Sequence, residues 1–356
     1  MNLLDVVPGQ AEKVVSDWVA EQGLPRYRAT QIFPRLWQRP VEEWSACTDL
    51  PKDVTGILDR NFHITRPTLA ELAESSDGTV KYLWTLPDGA AIESVVMRDG
   101  DRRTACISSQ VGCAYGCAFC ATGKMGFIRN LSPWEITAQV RELIVRNDPG
   151  GINNVVLMGM GEPLHNWTAV DTALTILNDP RGLGIGARKI TVSTVGIVPK
   201  LRKLAERPEQ FRLALSVHSA DAEQRRKLMP VEGSFPLKEV LRVVQGFSRR
   251  VTFEYVMISG VNDRPKDIPL LAEIARPIGA LVNLIPLHPG GPQGLPATRL
   301  PDIHRFAANL SQLGVSVTVR RSRGVDINAA CGQLWSDAAR SGKVTAEQNS
   351  DVQEQE

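Results

Sequence analysis

The strongest constraint on the fold of this chain is a regular alternation of apolar strands and amphipathic helices over about residues 104–322. Segments rich in β-branched residues occur at TACISSQ, INNVVLMGM, KITVSTVG, RLALSVHS, RVTFEYVMI, LVNLIPL and SVTVRRS. Helical patterns separate them at SPWEITAQVRELIVRN, AVDTALTILND, VPKLRKLAER, LKEVLRVVQGF, IPLLAEIAR and IHRFAANLSQLG. Such alternation is typical of parallel βαβ units. We therefore predict an α/β fold, a partial (β/α)6 barrel with its functional groups at the carboxyl ends of the strands.

Two local signals mark the start of this core. KYLWTLPDGAAIESVVMR alternates around Pro87-Asp88-Gly89, which predicts a β-hairpin before the barrel. Ser132, Pro133 and Glu135 predict a capping box at the start of the first barrel helix. The core domain is therefore expected to span residues 76–340, with the hairpin as an extension.

The segments on either side of the core differ from it in pattern. Residues 1–75 are predicted to form a small N-terminal helical accessory domain, with helices in AEKVVSDWVAEQGL, RATQIFPRLWQR and PKDVTGILDRNF. A domain of this kind serves either as a structural cap or as a nucleic-acid-binding unit. The polar residues 341–356 are predicted to be a disordered tail.

Composition limits the class of protein. The chain has 356 residues, 43% hydrophobic and 22% charged, which is typical of a folded globular protein. The net charge of +2 says little about partners, so a nucleic-acid site would need local basic clusters. We find no apolar run long enough for a membrane span and no signal-peptide pattern, which predicts a cytoplasmic protein with no membrane partner. Thiols stay reduced in that compartment, so six cysteines favour a metal site or catalysis over structural disulfides.

Three of these cysteines, Cys113, Cys117 and Cys120, form a C-x3-C-x2-C pattern in VGCAYGCAFCATG. Closely spaced thiolates on one loop can hold an iron–sulfur cluster. Three ligands leave the fourth iron of a 4Fe-4S cluster open, and chemistry at a metal requires an open position. The alternative is a three-cysteine zinc site, although no histidine lies nearby in the sequence to complete it.

Seven motifs in one order resemble a known family. They are ACISSQVGCAYGCAFCATG, GMGEPLHN, ITVSTVG, LALSVHS, EYVMI, NLIPL and RGVDINAACGQL, and they cover about Gly89 to Leu334. The CxxxCxxC pattern resembles the radical S-adenosylmethionine (SAM) superfamily, and the whole set resembles the RlmN/Cfr family of adenine-C2 RNA methyltransferases. Residues 1–75 also resemble the accessory domain of that family.

The resemblance implies a reaction that uses two SAM molecules per turnover, because electron-poor adenine C2 cannot attack a sulfonium methyl directly. Cys331 matches the cysteine that accepts a methyl group from one SAM. A second SAM, bound to the cluster, gives a 5′-deoxyadenosyl radical that takes hydrogen from this methyl, and the resulting carbon radical adds to C2. Glu93 matches the proton acceptor. Cys106 matches the thiol that attacks Cys331 and releases the product. This step leaves a disulfide between the two cysteines, which an external reductant then reduces.

The cofactor contacts follow from the same motifs. By resemblance, the residues that line SAM are Gly161, Glu162, Ser193, Ser216, Val217, His218 and Asn283. All follow or end predicted strands, where barrel ligands bind. Glycine allows close backbone approach, and Glu162 can accept hydrogen bonds from the ammonium group of SAM.

The expected partners are RNA and an electron donor such as flavodoxin or ferredoxin, acting on a monomer. In the family, the RNA is 23S rRNA and, in dual-specificity members, also tRNA. Three basic groups are candidates for phosphate contacts or are simply solvated: Arg320, Arg321 and Arg323; Arg102 and Arg103; and Arg225, Arg226 and Lys227. Pro163 resembles the C2 branch of the family. The alternatives are a C8-adenine methyltransferase of the Cfr type, a radical enzyme with a small-molecule substrate, and a zinc-containing RNA-binding protein without catalytic activity.

Overall fold

A mixed sheet of ten strands forms the centre of the computed structural model, which describes residues 1–146, 151–247, 249–288 and 294–334. The strands in chain order are β1 (Thr68–Glu74), β2 (Val80–Thr85), β3 (Ala91–Asp99), β4 (Arg102–Cys106), β5 (Gln110–Gly112), β6 (Phe127–Asn130), β7 (Asn154–Leu157), β8 (Ile190–Thr194), β9 (Arg212–Ser216), β10 (Val251–Met257), β11 (Leu281–Pro286) and β12 (Ser316–Val319). The sheet has the order β1-β2-β3-β4-β7-β8-β9-β10-β11-β12, and β5 pairs with β6 in a separate hairpin. Strands β1 to β4 are antiparallel neighbours, whereas all pairs from β4 to β12 are parallel.

Helices connect the parallel strands. The helices in chain order are α1 (Pro8–Glu21), α2 (Tyr27–Ile32), α3 (Lys52–Asn61), α4 (Ala121–Lys124), α5 (Pro133–Val145), α6 (Trp167–Asn178), α7 (Val198–Glu206), α8 (Ala222–Leu228), α9 (Leu237–Val244), α10 (Asp267–Ala275) and α11 (Leu300–Gln312). Each step from β4 through β7, β8, β9, β10 and β11 to β12 contains at least one of these helices. The predicted partial (β/α)6 barrel is therefore confirmed, and the chain order of the strands is also their order in the barrel wall.

The local signals at the start of the core are also confirmed. The strands β2 and β3 pair as the predicted hairpin around Pro87-Asp88-Gly89. Helix α5 begins at Pro133, and the Glu135 carboxylate accepts a hydrogen bond from the Ser132 N–H at 2.8 Å. A carboxylate in the first turn satisfies a free backbone donor and favours the positive end of the helix dipole.

The prediction that residues 1–75 are helical is wrong for one part of the segment. Residues Thr68–Glu74 form strand β1, which pairs antiparallel with β2 and extends the sheet. The sequence TLAELAE contains good helix formers and shows no alternation, because most of this edge strand is exposed. Backbone pairing with β2 overrides that weak local preference. The helical part of the N-terminal segment therefore ends with α3, at Asn61.

The N-terminal helices pack against the outside of the barrel. Their core includes the buried Trp18, Trp37 and Trp44 and is continuous with Trp134 of α5. The Arg141 side chain of α5 reaches into this layer and donates to two of its backbone carbonyls at 2.7 Å. The accessory segment is thus held on α5.

In the described ranges, none of the helices combines the length and the hydrophobicity that crossing a bilayer requires. The predicted disordered tail, residues 341–356, lies outside the described residues.

Candidate active site

The three-cysteine loop lies at the carboxyl end of the barrel, between β5 and β6. The hairpin holds the start of the loop, where the Cys113 N–H donates to the Gly126 carbonyl at 2.9 Å. The end of the loop is held by α4, which begins directly after Cys120. Cys113, Cys117 and Cys120 all line one cavity of about 150 Å³.

The surroundings of these thiols suit thiolate ligands of a cluster. Backbone N–H groups of Tyr115, Thr122 and Gly123 donate hydrogen bonds to the sulfurs of Cys113 and Cys120, as donors to sulfur do in iron–sulfur sites. Burial nevertheless raises the pKa of Cys113 to about 12, with smaller effects of its neighbours. A bound metal is then needed to keep the thiols ionised, so loading of the site and deprotonation are coupled.

All six cysteines are free thiols in this structure. Across the described parts of the chain, no three His, Cys, Asp or Glu side chains converge closely enough to hold a single metal ion. The three loop thiols instead line a shared cavity. Three thiols arranged in this way are the donor set of a multi-iron cluster that has one open iron.

Most residues predicted to contact SAM line this same cavity. They are Gly161, Glu162, Ser193, Ser216 and His218. The register of the parallel strands brings these residues to one edge of the sheet, although they are distant in sequence. Gly161 adopts φ +96°, and a Cβ atom there would lie 2.5 Å from the Cβ of Gln110, so no other residue fits without movement.

Two predicted SAM contacts lie elsewhere. Val217 is fully buried and lines neither of the two cavities of the barrel, because its side chain points into the hydrophobic core. Asn283 lines the second cavity, in the barrel interior, and donates to the Glu254 carboxylate at 2.7 Å.

Glu162 is a buried carboxylate with fixed orientation. It accepts hydrogen bonds from the Thr194 hydroxyl at 2.5 Å, the Val195 N–H at 2.9 Å and the Leu164 N–H at 3.0 Å. Burial raises its pKa to about 7, although these hydrogen bonds act in the opposite direction. The group therefore retains acceptor capacity for a cationic ligand and is poised to ionise near neutral pH.

His218 is a neutral ring held in one tautomer. Its Nδ1 accepts a hydrogen bond from the Val256 N–H at 3.0 Å, so the proton of the neutral ring is on Nε2. Burial, with the charge of Arg225, lowers its pKa to about 3. The ring lies against Phe119 of the cysteine loop, with centroids 4.4 Å apart, and the backbone at His218 has a positive φ of 54°. Such a conformation in a non-glycine residue is held by its surroundings and is common at ligand sites.

The loop that carries Cys331 closes over the same region. The Gly332 carbonyl accepts from the Ala121 N–H at 2.8 Å, next to Cys120. The β1–β2 turn anchors the other side of the loop, because Asp326 accepts from the Ser75 hydroxyl at 2.6 Å. Cys331 consequently lines the cavity of the three-cysteine loop.

A second cavity of about 370 Å³ occupies the interior of the barrel, and Cys331 lines this one as well. Cys106, at the end of β4, lines it together with Cys331. Burial raises the pKa of Cys106 to about 12, and the nearby Cys331 adds to the shift. The Cys106 thiol is thus neutral at pH 7, which slows attack on another sulfur.

Glu93 is not a solvated hairpin charge. It is only 1% exposed on β3, and its carboxylate lies 3.4 Å from the Lys81 ammonium group. It lines neither cavity, but it shares a strand face with Val95, which does. The Ser108 hydroxyl donates to the Glu93 carbonyl at 2.6 Å, so Glu93 lies beyond the carboxyl end of β4.

Two charged side chains of the site were not identified as site residues from the sequence. Arg320, which was a candidate for phosphate contact, is half-buried and donates a hydrogen bond to the sulfur of Cys331. Glu254 is 6% exposed and lines both cavities. The available signal for Glu254 was a single carboxylate within the apolar strand RVTFEYVMI.

The structure corrects the prediction that residues 225–227 form a basic group for contacts with RNA phosphates. Arg225 is fully buried, forms an ion pair with Glu232, and donates to the carbonyls of Val195 and Val217 at 3.1 and 3.2 Å. It therefore ties together the loops that follow β8 and β9 and is not available to RNA. Lys227 is paired with Glu223 on the surface at 2.8 Å.

Replacing Arg225 by alanine is expected to destabilise the protein by about 3–5 kcal/mol, because the change leaves Glu232 as a buried, unpaired charge. The measurement is the midpoint of denaturant-induced unfolding. The matched control is Arg226→Ala, the exposed neighbour, which is expected to change stability by less than about 0.5 kcal/mol. Equal effects of the two substitutions would contradict the structural role of Arg225.

Comparisons with known proteins agree with this site. Residues 107–269 match the Radical SAM superfamily. A probable dual-specificity RNA methyltransferase RlmN of Gemmatimonas aurantiaca is 54% identical over 94% of this chain and 92% of its own length. A protein of the same description from Staphylococcus aureus is 39% identical over 90% of each chain. The crystal structure of a radical SAM methyltransferase from Sphaerobacter thermophilus superimposes with a TM-score of 0.88 at 41% identity, over 94% of this chain and 99% of that one.

The partial barrel and its three-cysteine loop define a radical SAM enzyme, whose cofactors are a 4Fe-4S cluster and SAM. At this level of identity and coverage, the chain belongs to the RlmN family of this superfamily.

Proposed function

We propose that this protein methylates C2 of adenine in RNA and that Cys331 carries the methyl carbon between SAM and the base. The position of Cys331 is the observation that supports the proposal most strongly. Its side chain lines both the cavity of the cysteine loop and the barrel interior. A thiol in the shared wall can receive a group on one side and deliver it on the other without leaving the site.

The cofactors have separate binding groups. Cys113, Cys117 and Cys120 would hold the cluster, and Gly161, Glu162, Ser193, Ser216 and His218 would hold SAM. When bound, the cluster and SAM together supply one-electron chemistry that removes a hydrogen atom from an unactivated methyl group. Adenine C2 lies between two ring nitrogens and is electron-poor, so it needs this route in place of ordinary methyl transfer.

The residues of the chain prepare each step of the relay. The Arg320 guanidinium donates a hydrogen bond to the sulfur of Cys331, the atom that would take the methyl group of SAM, and so orients that sulfur. Cys106, which lines the interior with Cys331, then attacks the sulfur of Cys331, so that an S–S bond forms as the S–C bond to the base breaks. The carbon leaves with the base and takes up a proton to become a methyl group. The remaining unpaired electron would return to the cluster, and an external reductant would reduce the disulfide. Glu93 is proposed to accept the proton lost from C2 because it matches the family motif, although its side chain, paired with Lys81, lines neither cavity.

The RNA is proposed to be 23S rRNA, and also tRNA, since the curated relatives are described as dual-specificity enzymes. The N-terminal helices are proposed to help hold the RNA. An electron donor such as flavodoxin or ferredoxin would reduce the cluster of a monomeric enzyme.

The proposal is tested by reconstituting the cluster anaerobically and supplying SAM, a reductant and unmodified 23S rRNA or tRNA transcripts. Nucleosides from the digested RNA are then compared with 2-methyladenosine and 8-methyladenosine standards by mass spectrometry. We expect 2-methyladenosine. The 8-methyl isomer would overturn C2 specificity, and SAM cleavage without any RNA methylation would overturn the RNA substrate.

The affinity for SAM is expected to rise with pH and to level off above about pH 7, because the pKa of Glu162 is raised to about 7. Below that value Glu162 is protonated, and binding the SAM ammonium must release a proton. The dissociation constant therefore falls by up to about tenfold per pH unit until Glu162 is ionised. Equilibrium dialysis of labelled SAM with the cluster-loaded enzyme measures this dependence.

Glu162→Gln is the matched variant for this measurement. It is expected to bind SAM more weakly and with little change over the same pH range, because its amide does not titrate. The same pH slope in both proteins would show that another group controls binding.

A further inference from the structure

Three arginines stand at the amino ends of the barrel strands, at the edge opposite the SAM residues. Arg102 begins β4, Arg212 begins β9 and Arg250 directly precedes β10. All three line the barrel interior, the cavity that also contains Cys106 and Cys331. We refer to Arg102, Arg212 and Arg250 as the arginine rim.

The strand register explains why these side chains share the cavity. Cys106 pairs with Val156, Val156 with Thr191, and Thr191 with Arg212, so the four residues form one row across the sheet. All four line the interior. Leu213 pairs with Val251, so Arg250 lies beside Arg212 at the next strand. The arginine rim therefore continues the same inner face that carries Cys106.

The arginine rim has no ion-pair partner among the described residues. None of its three side chains forms an ion pair or a hydrogen bond there, whereas Arg323, which lines the same cavity, does both. Asp99, at the same mouth, is paired with Arg323 at 2.7 Å. Burial, followed by repulsion from Arg250 and Arg102, lowers the pKa of Arg212. Concentrated, unpaired positive charge at a cavity mouth attracts an anionic ligand.

The cavity size indicates which part of the ligand enters. About 370 Å³ is in the range of a small-molecule pocket and admits one nucleoside, not a base-paired helix. An enzyme that reacts with a base inside such a pocket must take that base out of its stack. The phosphates on either side of the nucleotide then remain outside, at the mouth.

We infer that the arginine rim binds the RNA phosphates that flank the target adenine, while the base enters the barrel from the amino ends of the strands to reach Cys331. This inference rests on the proposed function and adds a direction of entry and a phosphate site to it. Guanidinium groups suit phosphate because they donate paired hydrogen bonds. The adenine and SAM thus approach Cys331 from opposite ends of the barrel.

The test compares wild-type enzyme with the triple variant Arg102→Gln, Arg212→Gln and Arg250→Gln on unmodified 23S rRNA transcript. We expect KM for RNA to rise at least about tenfold and kcat at saturating RNA to stay within about twofold. The slope of log affinity against log salt concentration should become less negative by about 2, since up to three phosphate contacts are lost. Methylation of Cys331 in the absence of RNA shows whether the variant is folded. We expect this methylation to be the same in the variant as in the wild type.

Arg202→Gln is the matched control, because Arg202 is an exposed arginine on the outside of α7. It should leave KM and the salt slope as in the wild type. A triple variant with wild-type KM and salt slope would overturn the inference, as would a loss of kcat alone. If the wild-type enzyme methylates no RNA, the proposed function fails, while the salt dependence of RNA binding still tests the arginine rim separately.

Discussion

Replacement of Cys331 by alanine is expected to abolish methylation of RNA and of the protein itself. Cys331 lines both cavities, and no other cysteine of the described residues does so. Loss of a covalent nucleophile reduces turnover by at least about 10⁴-fold. Radiolabelled SAM measures both products, as label in RNA and as label in a digest of the protein.

The control is Cys47→Ala. Cys47 is 2% exposed in the core of the N-terminal helices and lines neither cavity, so this variant removes a buried thiol away from the site. It should retain methylation of both RNA and Cys331. Labelled methyl groups in RNA from the Cys331→Ala enzyme would disprove the relay.

Replacement of Cys106 by alanine is expected to stop the reaction after the carbon bridges Cys331 and the base. Cys106 lines the interior with Cys331 and is the thiol available there to attack its sulfur. Without that attack, the enzyme should accumulate as a covalent complex with RNA and complete less than one turnover. Denaturing electrophoresis with labelled RNA detects the complex, and nuclease digestion followed by mass spectrometry identifies the attachment site.

The double variant Cys106→Ala, Cys331→Ala provides the control, because it removes the attachment point and should form no complex. Free methylated RNA from Cys106→Ala at the wild-type rate would show that a different group releases the product. An adduct on a residue other than Cys331 would contradict the assignment of the carrier.

The fold was largely predictable because its signals are local. Apolar alternation and helical spacing are properties of neighbouring residues, so the barrel strands and helices follow from short windows of sequence. The error at β1 has the same origin. Thr68–Glu74 is an exposed edge strand whose pairing with β2 is a non-local interaction, and its own residues favour helix.

Burial could not be predicted in the same way. Arg225 and Glu93 resemble surface charges in the sequence, yet each is buried beside a partner from another element of the fold. The cost of burying a charge is met only by groups that the fold brings to it. These partners come from other parts of the chain.

The kind of chemistry can be predicted from the sequence, because the spacing of Cys113, Cys117 and Cys120 and each of the motifs lie within short stretches of chain. Which of these groups face one another depends on the fold. Strand register and the closing loop bring Cys331 against both the cysteine loop and Cys106, and they align three unpaired arginines at the far mouth of the barrel. Contacts of this kind arise from packing between distant segments, which no local pattern of residues encodes.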